Sequence, residues 1–243
     1  MTRMLWFAAV AAVILFLLTA CSDRGERFRY KMTVEVDTPD GVRSGYSVHE
    51  VRARYRNHFG LAPRSRTMDT IGEAVAVDLP DGQTLFVLTP SPDRIQSVLD
   101  PAWHNDWVES AQRITTEKNL RPVRFSIESK RDRTPDGLPR QFGGLFVRFR
   151  DINRPESIEE LDPARLEQGL GAGHALRGIT IQLTDDPVTS GIERRLAWLP
   201  KYYDLKFSGD RYQSIENRHK GLSAYITSGA FSAGMGLSPH DRG

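Results

Sequence analysis

From Phe28 to Val36 the chain alternates without a break. Phe28, Tyr30, Met32, Val34 and Val36 take one side, and Arg29, Lys31, Thr33 and Glu35 take the other. A period of two collects apolar side chains on one face of a strand, whereas on a helix the same residues would be scattered around the axis. The segment therefore demands a sheet with one face buried and one face charged. A lipid-facing barrel strand would be apolar on its outer side, so the charges argue against a transmembrane barrel.

The next residues bring the chain back. Thr38-Pro39-Asp40-Gly41 has turn chemistry, with Pro fixing φ and Gly permitting positive φ. Tyr46, Val48, Val51, Ala53 and Tyr55 then read as the returning strand, with a slip of phase between Val48 and Val51 that one extra residue at His49-Glu50, a β-bulge, accounts for. With Met32 opposite Val48 and the bulge in place, Arg29 falls opposite Arg52, and Arg27 opposite Arg54. Like charges directly opposed are mildly destabilising. Two explanations stay open: neutralisation by acids of a third strand, such as Glu128 or Asp132, or contact of Arg27, Arg29, Arg52 and Arg54 with an anionic membrane surface.

Further hairpins follow. Ala74 to Leu79, the turn Pro80-Asp81-Gly82, and Leu85 to Leu88 form a second. Val123 to Ile127 and Leu145 to Phe149 form a third, around a charged loop containing Thr134-Pro135-Asp136-Gly137. Ile179 to Leu183 alternates again. Short helices are inserted. Ser91-Pro92 opens one with Ile95, Val98 and Leu99 inward, and Asp100-Pro101 restarts it, with Trp103, Trp107, Ala111 and Ile114 on one face. Asp162-Pro163 opens another, ended by Gly169. Ser190-x-x-Glu193 resembles a capping box before Ile192, Leu196 and Leu199, and Pro200 stops that helix. The expected fold class is α+β, a mainly antiparallel sheet built from hairpins with short inserted helices. The expected organisation is a signal peptide at 1–20, a linker at 21–26, one domain at 27–226 and a loose Gly/Ser-rich tail at 227–243.

The N-terminus carries an address. Arg3 precedes an apolar run from Leu5 to Leu18, then Leu18-Thr19-Ala20-Cys21. A basic start, an apolar core and small residues at a cut describe a secretory signal, and the tetrad looks like the lipobox of bacterial lipoproteins. By that resemblance Cys21 receives diacylglycerol and becomes the N-terminus after cleavage behind Ala20. The alternative is an uncleaved span. The sixteen residues from Leu5 to Ala20 reach about 24 Å as a helix, short of the ~30 Å hydrocarbon core, although snorkelling and local thinning could rescue it. One acyl chain anchors marginally, and two or three anchor stably. Ser22, by a rule that varies among bacteria, favours the outer membrane over the inner, facing the periplasm. Ser22 to Glu26 spans at most about 17 Å, so the folded part stays near the bilayer.

Cys21 is the single cysteine. Intramolecular disulfides, cysteine zinc sites and Cys-His catalysis are therefore excluded. Of 33 basic residues Arg3 is the one within 1–20, which leaves 32 bases against 31 acids. That balance argues against a nucleic-acid partner.

No catalytic or metal constellation stands out, and no cofactor is called for. The histidines are His49, His58, His104, His174, His219 and His240, none in a metal-pair spacing such as H-E-x-x-H. Trp103-His104-Asn105-Asp106-Trp107 suits a sugar-stacking or acid/base site, but two tryptophans four apart on a helix read first as core. Gly169-Leu170-Gly171-Ala172-Gly173 lacks the Lys-Ser/Thr of a phosphate loop and lies between a helix and a strand, the wrong order for phosphate at a helix N-terminus. No G-x-S-x-G elbow is present, and Asp185-Asp186 beside Pro187 reads as a turn.

The segments FRYKMTVEVDTPDGVRSGYSVHEVR (Phe28 to Arg52) and ITIQLTDDPVTSGIERRLAWLP (Ile179 to Pro200) resemble uncharacterised predicted lipoproteins of alphaproteobacteria, over most of the mature chain. The resemblance implies a lipoprotein and no particular activity. Two functions stay open. One is a non-enzymatic binding or structural module, anchored to the membrane through Cys21, with an envelope protein or glycan as partner. The other is a periplasmic hydrolase acting on envelope material with a site dispersed in sequence. A cleft gathering His104 and Asp106, or His174, would favour the hydrolase.

Overall fold

A computed structural model describes residues 25–56, 65–100, 107–116, 123–125, 145–212 and 221–234. The signal segment, Cys21, Trp103 to Asp106, Glu128, Asp132 and the Thr134-to-Gly137 turn lie outside the described residues, and so does the side chain of Trp107.

The alternating segment is the middle of β1 (Gly25–Thr38), with Phe28, Tyr30, Met32, Val34 and Val36 all buried. It pairs on one side with β2 (Gly41–Arg56) through the expected turn, where Gly41 has φ +106° and the Thr38 hydroxyl donates to the Gly41 carbonyl at 2.6 Å. Its other neighbour is β9 (Ala175–Leu183). The six-stranded sheet is completed by β3 (Ser65–Glu73) beyond β2, β10 (Ser232–Ala233) beyond β3, and β6 (Val123–Phe125) beyond β9. A second, four-stranded sheet runs β4 (Val75–Asp78), β5 (Thr84–Val87), β7 (Phe146–Phe149), β8 (Ile158–Leu161). Every pairing is antiparallel, and helices are few, so the fold is α+β in class.

The bulge expected at His49-Glu50 is absent. The β1–β2 register runs unbroken, with Met32 opposite Ser47, Tyr30 opposite His49 and Phe28 opposite Val51. The phase slip has a different cause: the core face of β2 is partly polar. Ser47 and His49 are fully buried beside β1's apolar row, while Tyr46 stands exposed on the other face under the Lys31 ammonium, 4.1 Å from the ring centre. The sheet's register shift lies between β1 and β9, at Glu35/Val36. Nor do Val123 to Ile127 and Leu145 to Phe149 form a hairpin, since β6 pairs β9 and β7 pairs β5 and β8.

The second sheet is a middle layer. Val75, Val77, Leu85, Val87 and Phe146 join the core under β1, with Ile95 and Leu99 of α1 (Pro92–Leu99) and Ala111 and Ile114 of α2 (Trp107–Thr116). Ala74, Phe86, Leu88, Val147 and Phe149 point the other way into a second core with Leu196, Leu199, Phe207 and Phe231. Burial on both faces explains the unbroken apolar run Leu85 to Leu88. The sheets meet closely at Gly45, where a Cβ would collide with the Ala76 carbonyl.

Three local expectations change. The capping box does not form. A 3-10 turn at Ile192–Arg194 follows Gly191 at φ +110°, and its first amides are taken by the Glu73 carboxylate. Asp162 spends its carboxylate on a turn through the Ala164 amide, so α3 (Leu166–Leu170) starts later than expected; Gly169 lies inside it, and it ends at Gly171 with φ +99°. Thr227 to Gly234, expected as loose tail, packs: Phe231 is fully buried, its carbonyl accepts the Ala74 amide at 2.9 Å, and β10 closes one sheet edge. One large aromatic ring outweighs the small-residue composition around it.

Candidate functional site

The cleft that gathers the most chemistry opens at the start of β1, four residues beyond Cys21. It has a volume of about 520 Å³, within the usual range for small-molecule sites. Four elements build it, β2 through Glu50. The first strand contributes Glu26 to Arg29. The end of β9 lies alongside, with Tyr30 opposite Leu183 and the Thr184 amide donating to the Arg29 carbonyl at 3.1 Å, which brings Leu183, Thr184 and Asp185 to the rim. The last turn of α2, packed on β1, adds Ile114 and Thr115. Phe28, Ile114 and Leu183 form an apolar floor beneath a charged rim.

The β2 side of the cleft carries a carboxylate that orders two arginines. Glu50 is directly opposite Arg29 across β1 and β2. Its side chain is 4% exposed; one oxygen accepts Arg29 Nε at 2.9 Å and the other accepts Arg52 Nε at 2.7 Å. Burial pushes the Glu50 carboxyl up, but the hydrogen bonds and charges of Arg52 and Arg29 outweigh it and leave the group below its ordinary value. Both guanidinium groups are thereby held through Nε.

The four arginines singled out by sequence are not opposed as expected. Arg27 stands opposite Arg52, Arg29 opposite Glu50, and Arg54 opposite Gly25. The expected pairs Arg29/Arg52 and Arg27/Arg54 are displaced by two residues, one because Met32 faces Ser47 and not Val48, the other because the bulge is absent. Neutralising acids come from the sheet itself: Glu50 of β2 serves Arg29 and Arg52, and Asp69 of β3 meets Arg54 at 3.0 Å. Arg27 is exposed and has no acidic partner among the described residues. The set is also divided between two clefts. Arg27 and Arg29 line the first, and Arg52 and Arg54 line a second of about 560 Å³ with Asp69, Thr70 and Ser91.

Neither described histidine lines these clefts. His49 is fully buried, stacked on Tyr30 with ring centres 4.9 Å apart, and its Nε2 is 3.5 Å from the Thr89 hydroxyl. Gly72, at φ +151°, passes so close that a Cβ there would press on the imidazole. Burial lowers the His49 pKa to about 4, against a smaller upward effect of the Glu73 backbone. The ring is therefore neutral at pH 7. His174 is buried in the loop after α3, with Nδ1 3.0 Å from the Gly171 carbonyl oxygen. Among the described residues no group of three His, Cys, Asp or Glu is arranged to hold a metal ion, and no helix is long and apolar enough to cross a membrane.

Sequence reasoning found Arg27 and Arg29 but missed Glu50, Ile114 and Leu183. Glu50 sits two residues from Arg52 on the same strand face, a usable signal that the assumed bulge concealed. Nothing in the sequence links Ile114 or Leu183 to Phe28. Asp186 does close the expected turn, its amide donating to the Thr184 hydroxyl, and the same turn carries Asp185 to the cleft.

Comparison with protein-family models, with characterised proteins and with solved structures finds no match for this chain.

Proposed function

We propose that this chain is a lipid-anchored protein of the bacterial envelope, a non-enzymatic binding module attached through Cys21 and facing the periplasm, at the outer membrane. The observation that carries the reading is positional. The cleft with an apolar floor and arginines on its rim opens at the start of β1, four residues after Cys21 in sequence, a reach of at most about 14 Å. Arg27, Arg29, Arg52 and Arg54 lie on the same side of the sheet and face anionic headgroups in this arrangement. The partner is an envelope component, not a nucleic acid. The alternative hydrolase reading draws no support from the described histidines, since His49 is sealed in the core and His174 packs into a loop.

Incorporation of radiolabelled palmitate tests the anchor. The wild-type chain is expected to take up label and lose residues 1–20, and Cys21→Ala to do neither. Continued labelling of Cys21→Ala, or an intact Met1-to-Ala20 segment on the processed wild-type protein, rejects the proposal.

A further inference from the structure

The rim of the first cleft carries both signs of charge, and this selects among ligands. Arg29 and Glu50 are engaged with each other. Three further ionisable side chains on the rim, Glu26, Arg27 and Asp185, have no ion-pair partner among the described residues. Arg29 is also incompletely used: its Nη1 reaches only the Asp186 carbonyl oxygen, at 3.5 Å. The cleft thus offers two guanidinium groups on the β1 side and two carboxylates beside them. Ile114 and Thr115 belong to the last turn of α2, whose C-terminal end adds partial negative charge. Between these groups the floor is apolar.

A purely anionic ligand would meet Glu26 and Asp185 without compensation, and a purely cationic one would meet Arg27 and Arg29. Desolvating either mismatch is costly. A ligand with a phosphate, a primary ammonium and a short apolar portion satisfies every group. The phosphate takes the planar donors of Arg27 and Arg29, which suit it bidentately. The ammonium takes Glu26 or Asp185, and the apolar portion covers Phe28, Ile114 and Leu183.

We infer that this cleft binds the headgroup and proximal chain of an aminophospholipid, a lipid carrying phosphate and primary amine together. The inference rests on the proposed function for the nearness of a bilayer, but its chemistry is that of the cleft alone.

The test is titration of the full chain, held in amphipol, with short-chain dihexanoyl lipids below their micelle concentration. Binding is read by saturation-transfer NMR and calorimetry. Dihexanoyl phosphatidylethanolamine is expected to bind saturably and at least tenfold more tightly than dihexanoyl phosphatidylglycerol, which lacks the amine. Dihexanoyl phosphatidylcholine, whose quaternary nitrogen has no N–H, is expected to bind weakly as well. Arg27→Gln and Asp185→Asn are exposed positions whose replacement leaves the fold intact by thermal melt, and each is expected to weaken phosphatidylethanolamine binding about tenfold. Equal affinity for the three lipids overturns the inference, as does absence of saturable binding or binding unchanged in both variants. Failure here with normal palmitate labelling of Cys21 rejects the ligand and leaves the anchor standing. Lost labelling with retained selectivity does the reverse.

Discussion

The carboxylate of Glu73, at the end of β3, is hydrogen-bonded to the backbone of Gly191: one oxygen accepts the Gly191 amide at 2.8 Å and the other the adjacent Ile192 amide at 3.0 Å. A side chain 118 residues away thus satisfies the start of the 3-10 turn that Ser190 and Glu193 were expected to cap. Burial raises the Glu73 pKa despite these two bonds.

Glu73→Ala therefore leaves two buried amides without acceptors, at about 1–3 kcal/mol each. The expected loss is about 2–6 kcal/mol in chemical denaturation, and the larger cost falls on the segment from Gly191 to Leu199 that packs the second core. Hydrogen exchange at Gly191 and Ile192 is expected to accelerate more than exchange at β1. Uniform protection in the variant would contradict the capping role.

His49 gives the fold a defined acid sensitivity. Its folded pKa is about 4 and its ordinary value 6.5. Between these values the unfolded chain binds a proton that the folded chain refuses, so stability rises with pH and is lost as pH falls from about 6.5 to about 4. At about 1.4 kcal/mol per pH unit the full loss approaches roughly 3 kcal/mol. His49→Phe keeps an aromatic stack on Tyr30 and removes the proton. Its denaturation midpoint is expected to change less over this pH range than that of the parent chain, other groups being common to both. Parallel pH profiles would refute this.

Glu50 acts lower on the pH scale. Its folded pKa lies below the ordinary 4.5, so the stability it contributes is present above that value and lost as pH falls below it. Glu50→Gln is expected to cost about 1–2 kcal/mol at pH 7. The figure is modest because Arg29 and Arg52, 38% and 41% exposed, recover hydration when released. A urea titration at pH 7 and at pH 3.5 checks it, with the parent-to-variant difference shrinking at the lower pH.

The arginine edge predicts an ordered set of membrane effects. The chain from Ser22 onward is expected to bind phosphatidylcholine liposomes doped with anionic lipid, weaken with salt and show negligible binding to liposomes of phosphatidylcholine alone. Each base near such a surface contributes about 1 kcal/mol. Arg27→Gln is expected to weaken binding about fivefold, and Arg54→Gln less, because Asp69 already accompanies Arg54. Equal, negligible binding to both liposome types would leave these arginines as solvated or ion-paired residues.

The sequence alone determined the elements whose patterns are local. The alternation of β1, the turns at Pro39 to Gly41 and Pro80 to Gly82, the start of α1 at Pro92 and the strand at Ile179 to Leu183 were all legible, because each depends on neighbours within a few residues. Part of the site was legible for the same reason, with Arg27 and Arg29 readable as outward residues of a half-buried strand. Only the tertiary structure decided the rest. Ser47 and His49 occupy the core face of β2 because their partners across β1 and from Thr89 shelter them, and a hydropathy pattern counts such residues as outward. That misassignment displaced the register by one residue at Met32 and, with the assumed bulge, by two at the arginines, which keeps them outward but changes every pairing. The sorting of β6 and β7 into different sheets, the burial of Phe231 and the capping of Gly191 by Glu73 depend on residues far apart in sequence. So does the cleft of Phe28, Ile114 and Leu183, which exists only once four elements are brought together by packing.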